Sequence, residues 1–305
     1  MAKKIKTPAE MHGTAIKTST GSKIFDVCNT IFLLALRFVT LYPMWYVICA
    51  SFTNNVYLVS HPGAVWWPVG FTTGSYKMAF QHPLILSGYK NILLILGISL
   101  PINIIMTLFC GYFLASKGMM FKGPIQFLIM FTMFFGGGMI PTYLNIRDLG
   151  LYNSLWALIL PGMISVYNSI ICRTAIEGVP ESLKESAYID GANDLVIFFH
   201  VMLPLQSALL ATFTLFTAVG YWNEWFWSSL VLIDRNLWPM QLELRQIMWS
   251  SSAMAAEVPA ELGRKTYAEG MKAAAVIVTM LPIMCIYPFL QKYFAKGVMI
   301  GAIKS

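Results

Sequence analysis

Five carboxylates crowd one short stretch of the chain. Glu177, Glu181, Glu185, Asp190 and Asp194 stand against Lys184 in EGVPESLKESAYIDGANDLVIFFHVMLP, residues 177–204. Paired carboxylates serve general acid–base chemistry. Asp190 with Asp194 is the nearest approach to the pair that a membrane-bound glycosyltransferase would need. The surrounding residues point elsewhere. Pro180 suits the first position of a helix, and Glu181 suits the positive end of its dipole. Leu183 and Ala187 are four apart and share a face. Gly191 can end that helix, where a positive φ is required, and Asn193 or Asp194 can cap a second helix running toward Pro204. A helix–turn–helix with a small-residue face and exposed carboxylates reads as a docking element for another protein.

A second set of polar residues lies in apolar sequence. Ser207, Thr214, Thr217, Tyr221, Glu224 and Ser228 follow one another, the last five at steps of 3, 4, 3 and 4, which puts those five on one helix face. Ser99, Asn103, Thr107 and Cys110 form a second such face, and Ser165, Asn168 and Cys172 a third. In lipid, such stripes are either the wall of a polar path or helix–helix contacts, and both readings stay open for the hydroxyls. Asn103 suits a sugar hydroxyl, although an interhelical bond is its plainer use. Glu224 reads as functional, because an ionisable group at the centre of the hydrocarbon costs about 2.5–3.5 kcal/mol. The candidate path residues are therefore Asn103, Thr107, Thr217, Tyr221 and Glu224. The five cysteines (Cys28, Cys49, Cys110, Cys172 and Cys285) are read as small apolar fillers. His12, His61, His82 and His200 are scattered, so no metal site is expected. No Gly-x4-Gly-Lys-Ser/Thr phosphate loop occurs, so nucleotide hydrolysis is not expected of this chain.

The elements that position these groups follow from composition. The 305 residues are 57% hydrophobic and 11% charged, with 21 basic and 14 acidic side chains and a net charge of +7. Soluble domains are about 25% charged, so this chain cannot cover a water-facing surface. It is also too apolar for disorder, and its scattered Lys and Arg form no nucleic-acid stripe. Residues 91–116, 123–146, 149–172, 195–223 and 273–291 contain no Asp, Glu, Lys or Arg. A helix needs about 20 residues to cross a bilayer. The reading is an all-α, multi-pass membrane protein with six spanning helices near 28–52, 91–115, 124–145, 154–175, 204–232 and 272–293.

Positive residues near a span favour the cytoplasmic side. Lys3, Lys4, Lys6, Lys17 and Lys23, then Lys117 and Lys122, then Lys292, Lys296 and Lys304 agree on one orientation, with both termini inside. The expected organisation is a basic tail (1–27), a transmembrane domain (28–293) and a short C-terminal tail (294–305). The domain carries a cytoplasmic loop at 176–203 and outer loops at 53–90 and 233–271. All nine Trp fall on the expected outer half, as an interfacial belt or loop packing, with sugar stacking a further reading.

The loop resembles the cytoplasmic signature of permease subunits of ATP-binding-cassette importers: Glu-Ala-Ala, three residues, Gly, nine residues, Ile-x-Leu-Pro. This chain has Glu185-Ser186-Ala187, Gly191 and Val201-Met202-Leu203-Pro204 at the complete spacing, with Ser for Ala and Val for Ile as the departures. Leu149–Pro161 and Trp222-Asn223-Glu224 look like segments of carbohydrate-type permeases. The tail Lys296–Ala302 is similar to that of the maltose-type second permease, in the subgroup serving complex oligosaccharides and polysaccharide fragments.

The resemblance implies the type I importer permease fold and half of a translocation path worked by alternating access. It implies Glu185, Ser186, Ala187, Gly191, Leu203 and Pro204 as the ATPase-coupling residues. The implied partners are a second homologous permease in a heterodimer, two ATPase subunits that bind the ATP and Mg, an extracellular solute-binding protein and a carbohydrate substrate. The chain itself then holds no cofactor and is not an enzyme. The alternatives are an ion-coupled secondary transporter, which would usually carry internal repeats and a midplane relay, and an importer of the same family for another solute.

Overall fold

The computed structural model describes residues 20–286 apart from 62, 82, 119 and 258–268. The basic tail up to residue 19, the C-terminal tail 294–305 with its family-like motif, Pro288 and the end of the sixth expected span lie outside the described residues. Among the described residues there is helix and no strand. In chain order the helices are α1 (Thr20–Phe52), α2 (Asn55–Ser60), α3 (Gly74–Gln81), α4 (Pro83–Ala115), α5 (Lys122–Phe134), α6 (Met139–Asp148), α7 (Trp156–Ile159) and α8 (Val166–Glu177). Then come α9 (Glu181–Ile189), α10 (Asp194–Ile197), α11 (Leu203–Leu205), α12 (Ser207–Trp222), α13 (Phe226–Val231) and α14 (Met240–Glu257). The last is α15 (Glu269–Ile286).

Four helical runs are long and apolar enough to cross a bilayer: α1, α4, Trp156–Glu177 and α15. The other two expected spans are bent, and six is reached only when each bent pair counts as one. The expected straight helix over 124–145 is α5 and α6 meeting at 114°. Phe135 leaves the helix in an extended conformation and Gly138 takes φ +87°, a region glycine enters without steric penalty. The expected span 204–232 is also corrected. Helix Asp194–Leu205 meets α12 at 83°, because Pro204 offers no N–H to the ladder and the chain passes through a π turn, Phe198–Met202. The polar stripe of that span is therefore not one helix face. α12 stops at Trp222, and Glu224 and Ser228 lie beyond its end.

Boundaries elsewhere moved outward. α4 begins at Pro83 rather than 91, because its first turns pack under α14, with Gly88 lying against the Met240 backbone. Asn91 donates to the carbonyls of Asn236 (2.6 Å) and Trp238 (3.1 Å). The segments 53–90 and 233–271, expected as outer loops, thus hold helices α2, α3 and α14 among their described residues. Trp45, Trp66 and Trp67 pack one another there: Trp45 Nε1 donates to the Trp66 carbonyl at 2.8 Å, and the Trp45 and Trp67 rings meet edge-on.

α4 is the axis of the body. One buried cluster joins it to α8, α10 and α12 through Leu108, Cys172, Ile176, Phe198 and Phe213. Two more clusters, around Ile92 with Trp222 and around Ile95 with Ile159, pack its other end. α1 stands apart, exposed along most of its length until Cys49, Ala50 and Ser51 are buried.

The α4–α8 contact is close because Gly111 has no side chain. A Cβ there would lie 2.6 Å from Cys172 Cβ and 2.9 Å from the Ser169 carbonyl, and small residues permit such approach in membranes. Gly111→Ala is expected to destabilise the protein by about 1–3 kcal/mol, read as a lower unfolding temperature in detergent. Gly97→Ala, where a Cβ meets nothing within 4 Å, is the control and should leave that temperature unchanged.

Candidate functional site

The 177–204 segment folds as the spacing predicts. α9 ends in a Schellman turn: Gly191 takes φ +81°, its N–H donates to the Tyr188 carbonyl, and the Ala192 N–H donates to the Ala187 carbonyl, both at 3.0 Å. Pro180 occupies the N-cap rather than the first helical position. Asn193 caps the next helix, its Oδ1 accepting from Val196 N at 2.9 Å.

Glu185, Ser186 and Gly191 are exposed at the tip of this hairpin. Ala187 and Leu203 turn inward, and both pack on the cluster around Phe198; Pro204 is exposed at the following bend. The six motif residues thus sit on one hairpin: Ala187 and Leu203 anchor it, Glu185 lines a cavity beside the end of α4, and Ser186, Gly191 and Pro204 are exposed. The sequence reading passed over Ile189, which is 86% exposed at the same tip, with Leu183 and Leu195 exposed nearby.

The hairpin is fastened to the end of α4 by polar contacts. Lys117 Nζ donates to Glu181 Oε2 at 2.7 Å. That bond raises the Lys117 ammonium above its ordinary pKa and lowers the Glu181 carboxyl below its own. Asp194 Oδ1 accepts from Tyr188 at 2.5 Å and from Tyr112 at 3.3 Å. The first of these bonds holds the Tyr188 phenol above its usual range. Asp190 and Asp194 therefore differ in use: Asp194 is an acceptor for two phenols, and no group of three metal-ligating side chains occurs among the described residues. Between α9 and the end of α4 lies a cavity of about 990 Å³, lined in part by Phe113, Lys117, Lys184 and Tyr188.

The candidate path residues divide into two groups. Asn103 is buried, its Nδ2 donating to the Gly162 carbonyl at 2.5 Å and its Oδ1 accepting from Thr217 Oγ1 at 3.2 Å. Thr107 is buried and accepts from Ser165 N at 3.0 Å, while Ser169 Oγ donates to the Thr107 carbonyl at 3.1 Å. Both act between helices. Thr217, Tyr221 and Glu224, with Thr142 and Trp227, instead line a cavity of about 460 Å³. Glu224 also caps α13, one carboxyl oxygen accepting from Trp227 N at 2.7 Å.

Glu243 on α14 was missed, since a Glu in an outer segment reads as solvated. It is fully buried, 3.5 Å from Arg235 Nη2. Burial pushes its carboxyl up to about 7 against the opposing pull of Arg235. The folded state then holds the proton more tightly than the unfolded chain, so this group's contribution to stability is full below its ordinary pKa of 4.5 and is lost as pH rises through about 7. Glu243→Gln should therefore match the native protein in thermal unfolding at pH 4 and exceed it at pH 8. A gap independent of pH would contradict the burial.

The model for the binding-protein-dependent transport system inner membrane component family matches residues 70–300. Protein LplC of Bacillus subtilis (strain 168) is 37% identical over 97% of this chain and 100% of its own length. The polygalacturonan/rhamnogalacturonan transport system permease protein YtcP of the same organism is 38% identical over 93% and 99%. In structure the chain resembles a crystal structure of a bacterial ABC transporter involved in the import of the acidic polysaccharide alginate. The TM-score is 0.81 and the identity 28%, covering 90% of this chain and 98% of that one.

Proposed function

The chain belongs to the family of binding-protein-dependent transport system inner membrane components, and from that membership we propose how its parts divide the work. It is a multi-pass cell-membrane permease subunit of an ABC importer of the sugar-transport class, with the type I permease fold. Partners of three general kinds go with that family: another permease, an ATPase and a binding protein.

The finer reading is ours. The hairpin at 176–203 faces the cytosol and is the coupling element, with Glu185, Ser186, Ala187 and Gly191 at the contact and Leu203 and Pro204 bracing it. A separate ATPase binds and hydrolyses the ATP. A second homologous permease completes the path, and this chain contributes the wall formed by Thr217, Tyr221 and Glu224, with Asn103 and Thr107 holding the helices behind it. The cargo is an oligosaccharide or polysaccharide fragment, of the kind named for YtcP and for the alginate transporter.

One observation carries the proposal. A hairpin closed by a positive-φ glycine presents an exposed isoleucine among carboxylates, beside the end of the longest interior helix. Leu183 and Leu195 are exposed on the same hairpin, and exposed apolar surface rimmed by polar groups marks a site of protein interaction.

The test is uptake by vesicles containing the co-expressed permeases and ATPase, with binding protein outside and ATP inside. A panel of neutral oligosaccharides and oligogalacturonides is offered. Accumulation should require all components and ATP. Accumulation by this chain alone, driven by an ion gradient, would replace the proposal with a secondary transporter.

A further inference from the structure

α9 is nine residues long, and none of its residues is fully buried, with only Lys184 and Ala187 partly so. An element that received force from another protein would need a firm link to the membrane helices, and burial of α9 does not provide one. The link lies on one side of it. Tyr188, in its last turn, and Tyr112, in the last turns of α4, both donate to the same oxygen of Asp194. Lys184 Nζ lies over the Tyr112 ring at 5.5 Å from its centroid, and Tyr112 meets Phe198 edge-on at 5.5 Å. One carboxylate thus ties the end of α9, the start of α10 and the end of α4 together.

We propose that Asp194 is a positioning residue whose carboxylate latches α9 to α4 through Tyr188 and Tyr112, so that the hairpin and α4 move as one body. The inference rests on the coupling role proposed above for this hairpin. A charged acceptor is suited to the task, because hydrogen bonds to an ionised oxygen are about twice as strong as neutral ones. α4 is suited to receive the motion. The same helix carries Ser99, Asn103 and Thr107 and, through Asn103, bonds to Thr217 on the cavity-lining helix α12.

The fold of the hairpin does not depend on the latch. The Schellman turn at Gly191, the Asn193 cap and the packing of Ala187 and Leu203 against the Phe198 cluster remain when it is removed. Asp194→Asn and Tyr112→Phe should therefore assemble normally and fail only in transmission.

The experiment places spin labels at Ser182→Cys on α9, which is exposed and outside the proposed contact, and Met106→Cys on α4, with Cys28, Cys110 and Cys285 replaced by serine. The distance between the labels is measured in the complete complex, at rest and trapped with ATP and vanadate. With Asp194 present, the distance should be single and the same in both states. In Asp194→Asn and in Tyr112→Phe it should broaden or shift by several ångströms on trapping, and Asp194→Glu should restore the narrow distribution.

Identical distributions in the variants and the native complex would overturn the proposal, as would a native distance that changes on trapping. Loss of the ATPase from the Asp194→Asn complex would also overturn it, by assigning Asp194 to the docking surface. If no ATPase accompanies the native chain, the coupling role itself fails, an outcome distinct from all of these.

Discussion

Ile189→Asp is expected to abolish ATP-driven uptake while leaving the protein inserted and folded. Ile189 is 86% exposed and neighbours Asp190 at the tip of the hairpin, so no packing within the chain depends on it. Covering an isoleucine in an interface contributes about 1.5–3 kcal/mol. An aspartate in its place loses that contribution and adds a carboxylate desolvated without a partner, a change of several kcal/mol. Affinity for the ATPase should then fall by about a hundredfold or more.

Co-purification of the ATPase with the tagged permease is the direct measurement, and unfolding temperature is the control. Full co-purification would move the docking surface off this hairpin. Gly191→Asp should act in the same direction with less force. A Cβ at Gly191 meets nothing within 4 Å, so the change adds a charge and about 1–2 kcal/mol of left-handed backbone strain. It does not remove an apolar anchor.

Phe198→Ala is expected to give the largest loss of stability, about 3–5 kcal/mol. The ring is 2% exposed. It stacks on Phe109 at 4.3 Å between centroids and meets Tyr112 and Phe199 edge-on. It therefore seats the hairpin on α4 at the start of the π turn. The space left by alanine would adjoin the cavity between α9 and α4, which Phe109, Tyr112 and Phe198 line, so the contacts of the ring would be lost without replacement. A marked drop in unfolding temperature and in the amount of folded protein extracted from membranes should follow. Phe199→Ala is the comparison, because Phe199 is 42% exposed and should lose much less. Equal losses for the two would mean that Phe198 is not the seat of the hairpin.

Much of this was legible in the residues alone. The capping pattern Glu181, Gly191, Asn193 specified the hairpin because caps and turns are decided within a few residues of chain. The spacing from Glu185 to Pro204 was complete, and the structure brings those residues together on the hairpin it forms. The polar stripes were legible as stripes but not as to their use. Asn103 and Thr217, 114 residues apart, are hydrogen-bonded, and nothing local to either residue announces the other. The stripe over 214–228 misled for a definite reason. Its 3-and-4 stepping assumes an unbroken helix, whereas Glu224 turns its carboxylate onto Trp227 N and starts a new one. Glu243 was illegible because its burial depends on α14 lying along α4.

Sequence by itself determined the solvent of this protein, its helical class, the rough position of each apolar segment and the hairpin with its glycine. Those properties add up residue by residue along the chain, from hydrophobicity, charge and local backbone preference. Tertiary structure alone decided the 114° and 83° bends, the division between residues that line the cavity and residues that bind helices together, and the meeting of Tyr112 with Asp194 from 82 residues away. The reason is that such outcomes are set by which helix faces pack together. A group's role then depends on neighbours brought to it by the rest of the fold.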